Sequence, residues 1–215
     1  MKNRKINRGL AEEICIWRDR SECEDCDLHE KLFCRPKSKY ILYFGLPALA
    51  AMIPAGIGLL FSDFELIIRI LVFSGWIGYL AFFFFVWESR MICNHCPYFA
   101  NDEQRTLHCP IDKGKLKTSK YNPGPTSISE KIQFIIGFIT LIGYPSIFLL
   151  LAGQFLLLLM TLGAWMVWII IIQLKVCTDC INFACILNRV PKSVRLQFFE
   201  KNPIIKKAWE ERGTI

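Results

Sequence analysis

Four long stretches of the chain are almost entirely apolar, and the segments around them are rich in charge. The stretches cover residues 40–61, 64–87, 132–152 and 155–174 and contain 20 to 24 residues each. About 20 apolar residues in an α-helix are needed to cross a hydrocarbon core of roughly 30 Å. Runs such as LAFFFFVW and LLLLMTLGAWMVWIIII have no polar face at the helical period, as a soluble helical bundle would require. The pattern predicts four transmembrane helices.

The connections between these stretches predict two helical hairpins. Only Ser62 and Asp63 separate the first two stretches, and only the tripeptide AGQ at 152–154 interrupts the last two. We therefore expect an all-α membrane protein with four transmembrane helices and a cysteine-rich, metal-organised cytoplasmic cap. Its expected segments are a Cys-rich N-terminal segment at 1–39, a hairpin at 40–87, a Cys-containing loop at 88–131, a hairpin at 132–174 and a Cys-containing amphipathic tail at 175–215.

Basic residues are distributed very unevenly along the chain, whose net charge is +7. Lys and Arg number ten in 1–39, seven in 88–131 and eight in 175–215, whereas the two short turns contain none. Cytoplasmic loops of membrane proteins carry an excess of Lys and Arg. The charge pattern therefore predicts a multi-pass protein of the cell membrane with both termini in the cytoplasm. The expected partner is the lipid bilayer, and no nucleic-acid binding is expected.

All ten cysteines lie outside the apolar stretches, on the side predicted to be cytoplasmic. The cytosol keeps thiols reduced, so metal binding or thiol chemistry is favoured over structural disulfides. The N-terminal set has the spacing C-x7-C-x2-C-x7-C, in which a Cys-x-x-Cys turn presents two thiolates to one tetrahedral centre and flanking cysteines close it. This spacing predicts a zinc site, with His29 as a weaker alternative ligand; its cysteines are Cys15, Cys23, Cys26 and Cys34.

A second set of cysteines is split between the loop and the tail. Both halves begin just beyond a predicted span, so the helices should deliver them to the same depth. Two Cys-x-x-Cys pairs can supply four thiolates to one centre, which leaves Cys109 and Cys185 as further ligands, ligands of a second metal, or reactive thiols. His108 is a weaker alternative ligand, and zinc and iron–sulfur both remain open. The set comprises Cys93, Cys96, Cys109, Cys177, Cys180 and Cys185.

Two cysteines of the loop are followed directly by proline, as a ligand cysteine is in bacterial ferredoxins. The combination of four spans with cytoplasmic Cys–Pro motifs resembles the membrane iron–sulfur proteins of quinol-oxidising chains. The resemblance is carried by Cys93, Cys96, Pro97, Cys109 and Pro110. It implies an iron–sulfur cluster, such as 4Fe-4S, and a role in electron transport. The paired ferredoxin motifs of that group are absent, so the resemblance does not extend to quinol oxidation.

The remaining sequence narrows the function class. Apart from Glu65 and Arg69, the four stretches carry no charge, whereas ion-coupled carriers need ionisable groups within the membrane. The leading interpretation is a metal-binding electron-transfer or assembly subunit of a membrane complex. One alternative is a cytoplasm-facing thiol oxidoreductase or soft-metal handling protein. Another is a structural zinc-capped scaffold that docks a soluble partner. No catalytic residue, enzyme class or oligomeric state follows from the sequence.

Overall fold

A computed structural model describes residues 11–23, 26–101, 104–109, 111 and 114–213. Within these residues the fold is all-helical and contains no strand, although Thr106 and Leu116 form an isolated antiparallel bridge. The α-helices are α1 Ser38–Leu60, α2 Leu66–Phe82, α3 Glu88–Met91, α4 Ile128–Leu151, α5 Phe155–Lys175, α6 Lys192–Glu200 and α7 Pro203–Glu210. A π-helical turn at Phe83–Trp87 joins α2 to α3 without a break.

Four helices of the structure are long and apolar enough to cross a membrane, which confirms the predicted spans. Two of them extend beyond the predicted apolar stretch by four residues. The second continues through the π turn into α3, and α4 begins at Ile128, four residues before the first residue of its stretch. The early start of α4 has a local cause, because Ser127 and Glu130 form a reciprocal capping box that satisfies the first main-chain N–H groups.

The four long helices form one bundle. Helices α2 and α5 each pack against both α1 and α4, and α1 also contacts α4 across the centre. Aromatic N–H and O–H groups join the helices by donating to main-chain carbonyls of their neighbours. Examples are Trp168 Nε1 to Phe44 O at 2.9 Å and Tyr79 Oη to Gly137 O at 2.9 Å. These bonds satisfy polar groups that would be costly to leave unpaired in a bilayer.

The outer surface of the bundle is apolar. In the most apolar 18-residue window of each span, only 22% to 28% of the residues are buried within the protein. The others include large exposed side chains such as Leu46, Ile67, Ile139 and Leu156. Exposed apolar surface on this scale is unfavourable in water and is suited to contact with lipid tails. The helices therefore support a multi-pass membrane protein.

All ten cysteines lie in a folded layer at the end of the bundle opposite the two hairpin turns. We call the described residues of 11–37, 92–127 and 176–213 the cysteine layer. Its three segments are bonded to one another: Tyr98 Oη donates to Phe33 O at 2.8 Å, and the main-chain N–H of Phe33 donates to Asp179 O at 2.9 Å. One hydrophobic core runs from the helix ends, at Phe83 and Trp168, into the layer. The bundle therefore supports the layer directly.

Candidate functional site: two cysteine-lined cavities

Each Cys-x-x-Cys pair lies on a tight turn that holds its two cysteines close together. The N–H of Cys96 donates to Cys93 O at 3.0 Å, and the N–H of Cys26 donates to Cys23 O at 3.3 Å. In the tail, the N–H of Asp179 donates to Val176 O at 3.3 Å and bends the chain between Cys177 and Cys180. The sequence pattern of two intervening residues is therefore realised as three compact turns in the cysteine layer.

The loop and the tail together enclose a cavity of about 110 Å³, which we call the loop-and-tail cavity. It is lined by all six cysteines of the second set, namely Cys93, Cys96, Cys109, Cys177, Cys180 and Cys185. The membrane-facing part of its wall is aromatic and comes from the ends of the long helices, with Phe44, Phe83, Phe84, Phe134, Phe138 and Trp168. The structure therefore brings the loop cysteines and the tail cysteines to one apolar space at the end of the bundle.

The four N-terminal cysteines line a separate cavity of about 220 Å³, the N-terminal cavity. Its wall also contains three basic side chains, those of Arg18, His29 and Lys201, all of which are exposed at the protein surface. Unlike the loop-and-tail cavity, it is therefore bordered by exposed basic side chains. The cysteines concerned are Cys15, Cys23, Cys26 and Cys34.

The thiols surround the cavities without converging on a single point. Among the described residues, no group of three or more His, Cys, Asp or Glu side chains is arranged to hold one metal ion. All ten cysteines are free thiols rather than disulfides. Metal binding therefore stays a prediction. Each cavity has several cysteines among its lining residues.

Burial keeps the three tail thiols of the loop-and-tail cavity protonated, and neighbouring thiolates add to the effect at Cys180 and Cys185. Burial raises the pKa of Cys180 well above its usual value, and nearby Cys96, Cys185 and Cys109 raise it further. Burial likewise raises the pKa of Cys185 to about 12 and that of Cys177 to about 11. A metal bound here would have to displace these protons, and its positive charge would remove the repulsion between the thiolates.

Two of the N-terminal thiols, those of Cys15 and Cys34, also have raised pKa values. Burial raises the pKa of Cys34 to about 12, and the neighbouring Cys15, Cys26 and Cys23 contribute in the same direction. Burial also raises the pKa of Cys15, while a hydrogen bond from Asn202 lowers it. Because these cysteines act on one another's pKa values, their four sulfur atoms lie near one another, although they do not meet at one point.

Several hydrogen bonds point at the cysteine sulfurs. Asn202 Nδ2 donates to Cys15 Sγ at 3.3 Å, and an Arg35 guanidinium N–H donates to Cys23 Sγ at 3.4 Å. In the tail, main-chain N–H groups donate to the sulfurs of Cys180 and Cys185; the donors are Asn182, Leu187 and Asn188. Donors of this kind stabilise thiolates and tune metal centres, because they offset negative charge on sulfur.

The histidines are placed differently from one another. His29 is exposed at the wall of the N-terminal cavity, in keeping with its expected place near that set. His108 is not among the described residues that line either cavity, and its ring packs edge-on against Trp17. His95 has both ring nitrogens engaged, by Gly124 O at 2.7 Å and by Glu130 Oε1 at 3.2 Å. Of the prolines, Pro97 begins a short helical turn and Pro110 lies outside the described residues.

Three polar residues that lie at or beside the cavities were not predicted from the sequence: Glu88, Lys115 and Asn202. Glu88 lines the loop-and-tail cavity, and the largely buried ammonium group of Lys115 lies 2.8 Å from its carboxylate. Asn202 is fully buried beside Cys15 although 187 positions separate them. No periodicity or spacing rule links residues so far apart, so only the folded chain could reveal these contacts.

The chain was compared with protein-family profiles, with curated proteins and with solved structures, and nothing matched. Any functional assignment therefore rests on the chemistry of the two cavities.

Proposed function

We propose that the loop-and-tail cavity binds an iron–sulfur cluster and that the protein is an electron-transfer subunit of a membrane complex. The observation that carries this proposal is that six cysteines line one apolar cavity at the end of the bundle, although they come from two segments whose first cysteines, Cys93 and Cys177, are 84 positions apart. Cysteine thiolates are the usual ligands of iron–sulfur clusters, and no histidine lines this cavity among the described residues.

The size of the cavity favours a cluster over a single zinc ion. A structural zinc site places four ligands in a tetrahedron with sulfur about 2.3 Å from the metal, so the sulfur atoms must converge closely. A space of about 110 Å³ greatly exceeds the roughly 10–15 Å³ that one water-sized occupant needs. Cysteines spread around such a space suit a cofactor made of several atoms.

The electrostatic neighbourhood of Cys180 indicates which four cysteines would hold the cluster. The thiols that raise its pKa, after burial itself, are those of Cys96, Cys185 and Cys109. Cys93 instead belongs to a small apolar cluster with Phe99 and Leu107. We therefore propose Cys96, Cys109, Cys180 and Cys185 as the ligands; Cys177, whose thiol raises the pKa of Cys185, lies next to this group. The sequence pattern alone had favoured the two Cys-x-x-Cys pairs as the four ligands.

The surroundings of the cavity suit a redox centre. Its aromatic wall lowers the local dielectric constant, and main-chain N–H groups donate to two of the four sulfurs. Burial and hydrogen bonds to sulfur are two of the main determinants of cluster reduction potential. A cluster held here would lie at the membrane end of the cysteine layer, where it could exchange electrons with a membrane-bound partner.

The test is metal analysis of the full-length protein purified anaerobically in detergent. We expect a brown protein that contains iron and acid-labile sulfide. Cys96→Ser and Cys180→Ser should each abolish the loop-and-tail share of the iron, and the double variant should lose little more, because one missing ligand already spoils the site. Cys93→Ser and Cys177→Ser are matched controls on the same turns and should retain it.

Other outcomes would overturn the proposal. A colourless protein that holds zinc at this site would indicate a structural role. Loss of the metal should then make the described parts of 93–131 and 177–215 protease-sensitive. A metal-free protein whose thiols are alkylated rapidly at neutral pH would indicate a thiol enzyme.

A further inference from the structure

The two cavities lie on opposite sides of a thin partition within the cysteine layer. Two consecutive residues form part of it: Phe33 lines the loop-and-tail cavity, and Cys34 lines the N-terminal cavity. The partition is buried, since Phe33 is 1% exposed and Cys34 is 7% exposed. One peptide unit therefore connects the walls of the two cavities.

Tyr98 completes the partition from the loop. Its side chain is buried at the wall of the loop-and-tail cavity, and its hydroxyl donates to Phe33 O at 2.8 Å. Because a peptide bond joins Phe33 to Cys34, this hydrogen bond links the loop to the wall that the two cavities share.

The cavities differ in the chemistry of their walls. Exposed basic side chains, those of Arg18, His29 and Lys201, stand at the wall of the N-terminal cavity, whereas the aromatic ends of the membrane helices line the other cavity. A soluble electron donor with an acidic surface would therefore meet complementary charge at the N-terminal cavity. The arrangement has one site beside exposed basic side chains and one site against the membrane helices, with a shared wall.

We propose that the N-terminal cysteines hold a second iron–sulfur cluster, and that electrons pass between the two clusters across the partition of Phe33, Cys34 and Tyr98. This inference rests on the proposed function, because it needs a redox centre in the loop-and-tail cavity. In each transfer one electron leaves the N-terminal cluster, which is oxidised, and enters the loop-and-tail cluster, which is reduced. A soluble low-potential one-electron carrier supplies the electron, and no covalent bond is made or broken.

The alternative occupant of the N-terminal cavity is the zinc ion that the sequence spacing predicts. Zinc has no redox chemistry in proteins, so it would end the electron path at the loop-and-tail cavity. The N-terminal cavity is about 220 Å³, which leaves room for a cofactor of several atoms among its four cysteines.

The experiment is electron paramagnetic resonance of the full-length protein in detergent during stepwise reduction with dithionite. Two neighbouring paramagnetic clusters interact magnetically. We therefore expect a simple spectrum after the first electron and a broadened or split spectrum after the second. This measurement uses the unmodified protein, so it does not depend on whether any variant folds.

Variants then assign the two signals. Cys26→Ser should remove the N-terminal cluster and Cys180→Ser the other, each leaving one cluster and one unsplit signal; Cys93→Ser should keep the split spectrum. A fully reduced spectrum that equals the sum of two independent signals would overturn the relay. Zinc in place of iron at the N-terminal site would also overturn the relay. In that case, loss of iron from Cys180→Ser would still support the proposed function of the loop-and-tail cavity. Iron that survives Cys180→Ser unchanged would instead contradict the proposed function.

Discussion

Asn202 holds the N-terminal cysteine segment against the tail, and its removal should release that segment selectively. Its side chain is fully buried and makes three hydrogen bonds. Oδ1 accepts from the N–H of Cys15 at 2.8 Å, while Nδ2 donates to Phe198 O at 2.7 Å and to Cys15 Sγ at 3.3 Å. Leucine has a similar size and can make none of these bonds.

The expected cost follows from the groups left behind. In Asn202→Leu the N–H of Cys15 and the carbonyl of Phe198 lose their side-chain partner. A buried polar group without a partner costs about 1–3 kcal/mol, so the two together cost about 2–6 kcal/mol. Even the lower limit of about 2 kcal/mol raises the population of the opened segment about 30-fold, since each 1.4 kcal/mol is a factor of ten.

Amide hydrogen exchange followed by mass spectrometry measures this opening directly. Peptides within 11–23 of Asn202→Leu should exchange about 30-fold faster or more, because exchange reports local opening. The matched control is Asn188→Leu. That asparagine bonds within the tail, donating to Cys180 O at 2.7 Å and Asn182 O at 3.1 Å, so its loss should accelerate exchange in 177–190 instead. Unchanged exchange of 11–23 in Asn202→Leu would refute the reasoning, as would equal acceleration of both segments by both variants.

Three further predictions concern the bundle and its orientation. Gly58→Ala should lower the free energy of unfolding, measured in mixed micelles, by about 1–3 kcal/mol. The reason is that a Cβ at this position would lie 2.1 Å from Leu149 Cδ2. The control Gly45→Ala places its Cβ with no atom within 4 Å and should be neutral or slightly stabilising. Lys115→Met should cost about 3–5 kcal/mol by leaving the carboxylate of Glu88 without its ammonium partner, and Glu88→Gln added to it should recover part of that loss. On intact cells a membrane-impermeant maleimide should label none of the native cysteines. It should label Asp63→Cys in the first hairpin turn but not Ser193→Cys in the tail. The reverse pattern would contradict the predicted orientation.

The helices were predictable because the membrane imposes a simple rule on the sequence. A segment in lipid must satisfy its own main-chain hydrogen bonds, so about 20 apolar residues specify a helix almost regardless of their identity. The structure confirms all four spans on that basis. The rule marks the apolar part only, and so it missed the extension of the second helix through Glu88 to Met91. There the helix continues beyond the apolar stretch.

The partners of the cysteines were less predictable, because they depend on packing between distant segments. Spacing correctly indicated that Cys96 and Cys180 lie on Cys-x-x-Cys turns, and helix lengths indicated that the turns share one depth. Nothing in the spacing shows that Cys96, Cys185 and Cys109 are the cysteines that raise the pKa of Cys180, or that Cys177 raises that of Cys185. That choice is made by side-chain packing of the whole layer. The position of Asn202 beside Cys15 is equally a product of the fold.

The π-helical turn at Phe83–Trp87 links the geometry of the bundle to that of the candidate site. In this turn the N–H of Glu88 donates to Phe83 O, one residue further back than in an α-helix, so the helix gains a residue and its following side chains rotate. Phe83 and Phe84 then face the loop-and-tail cavity, and Glu88 joins its wall. The absence of a side chain at Gly137 permits this, since a Cβ there would lie 2.9 Å from Phe83 Cε2. Because Cys93 follows two residues after this helix ends at Met91, the packing of α2 against α4 sets where the loop cysteines lie. The membrane bundle is therefore a rigid support that positions one half of the cysteine set against the other.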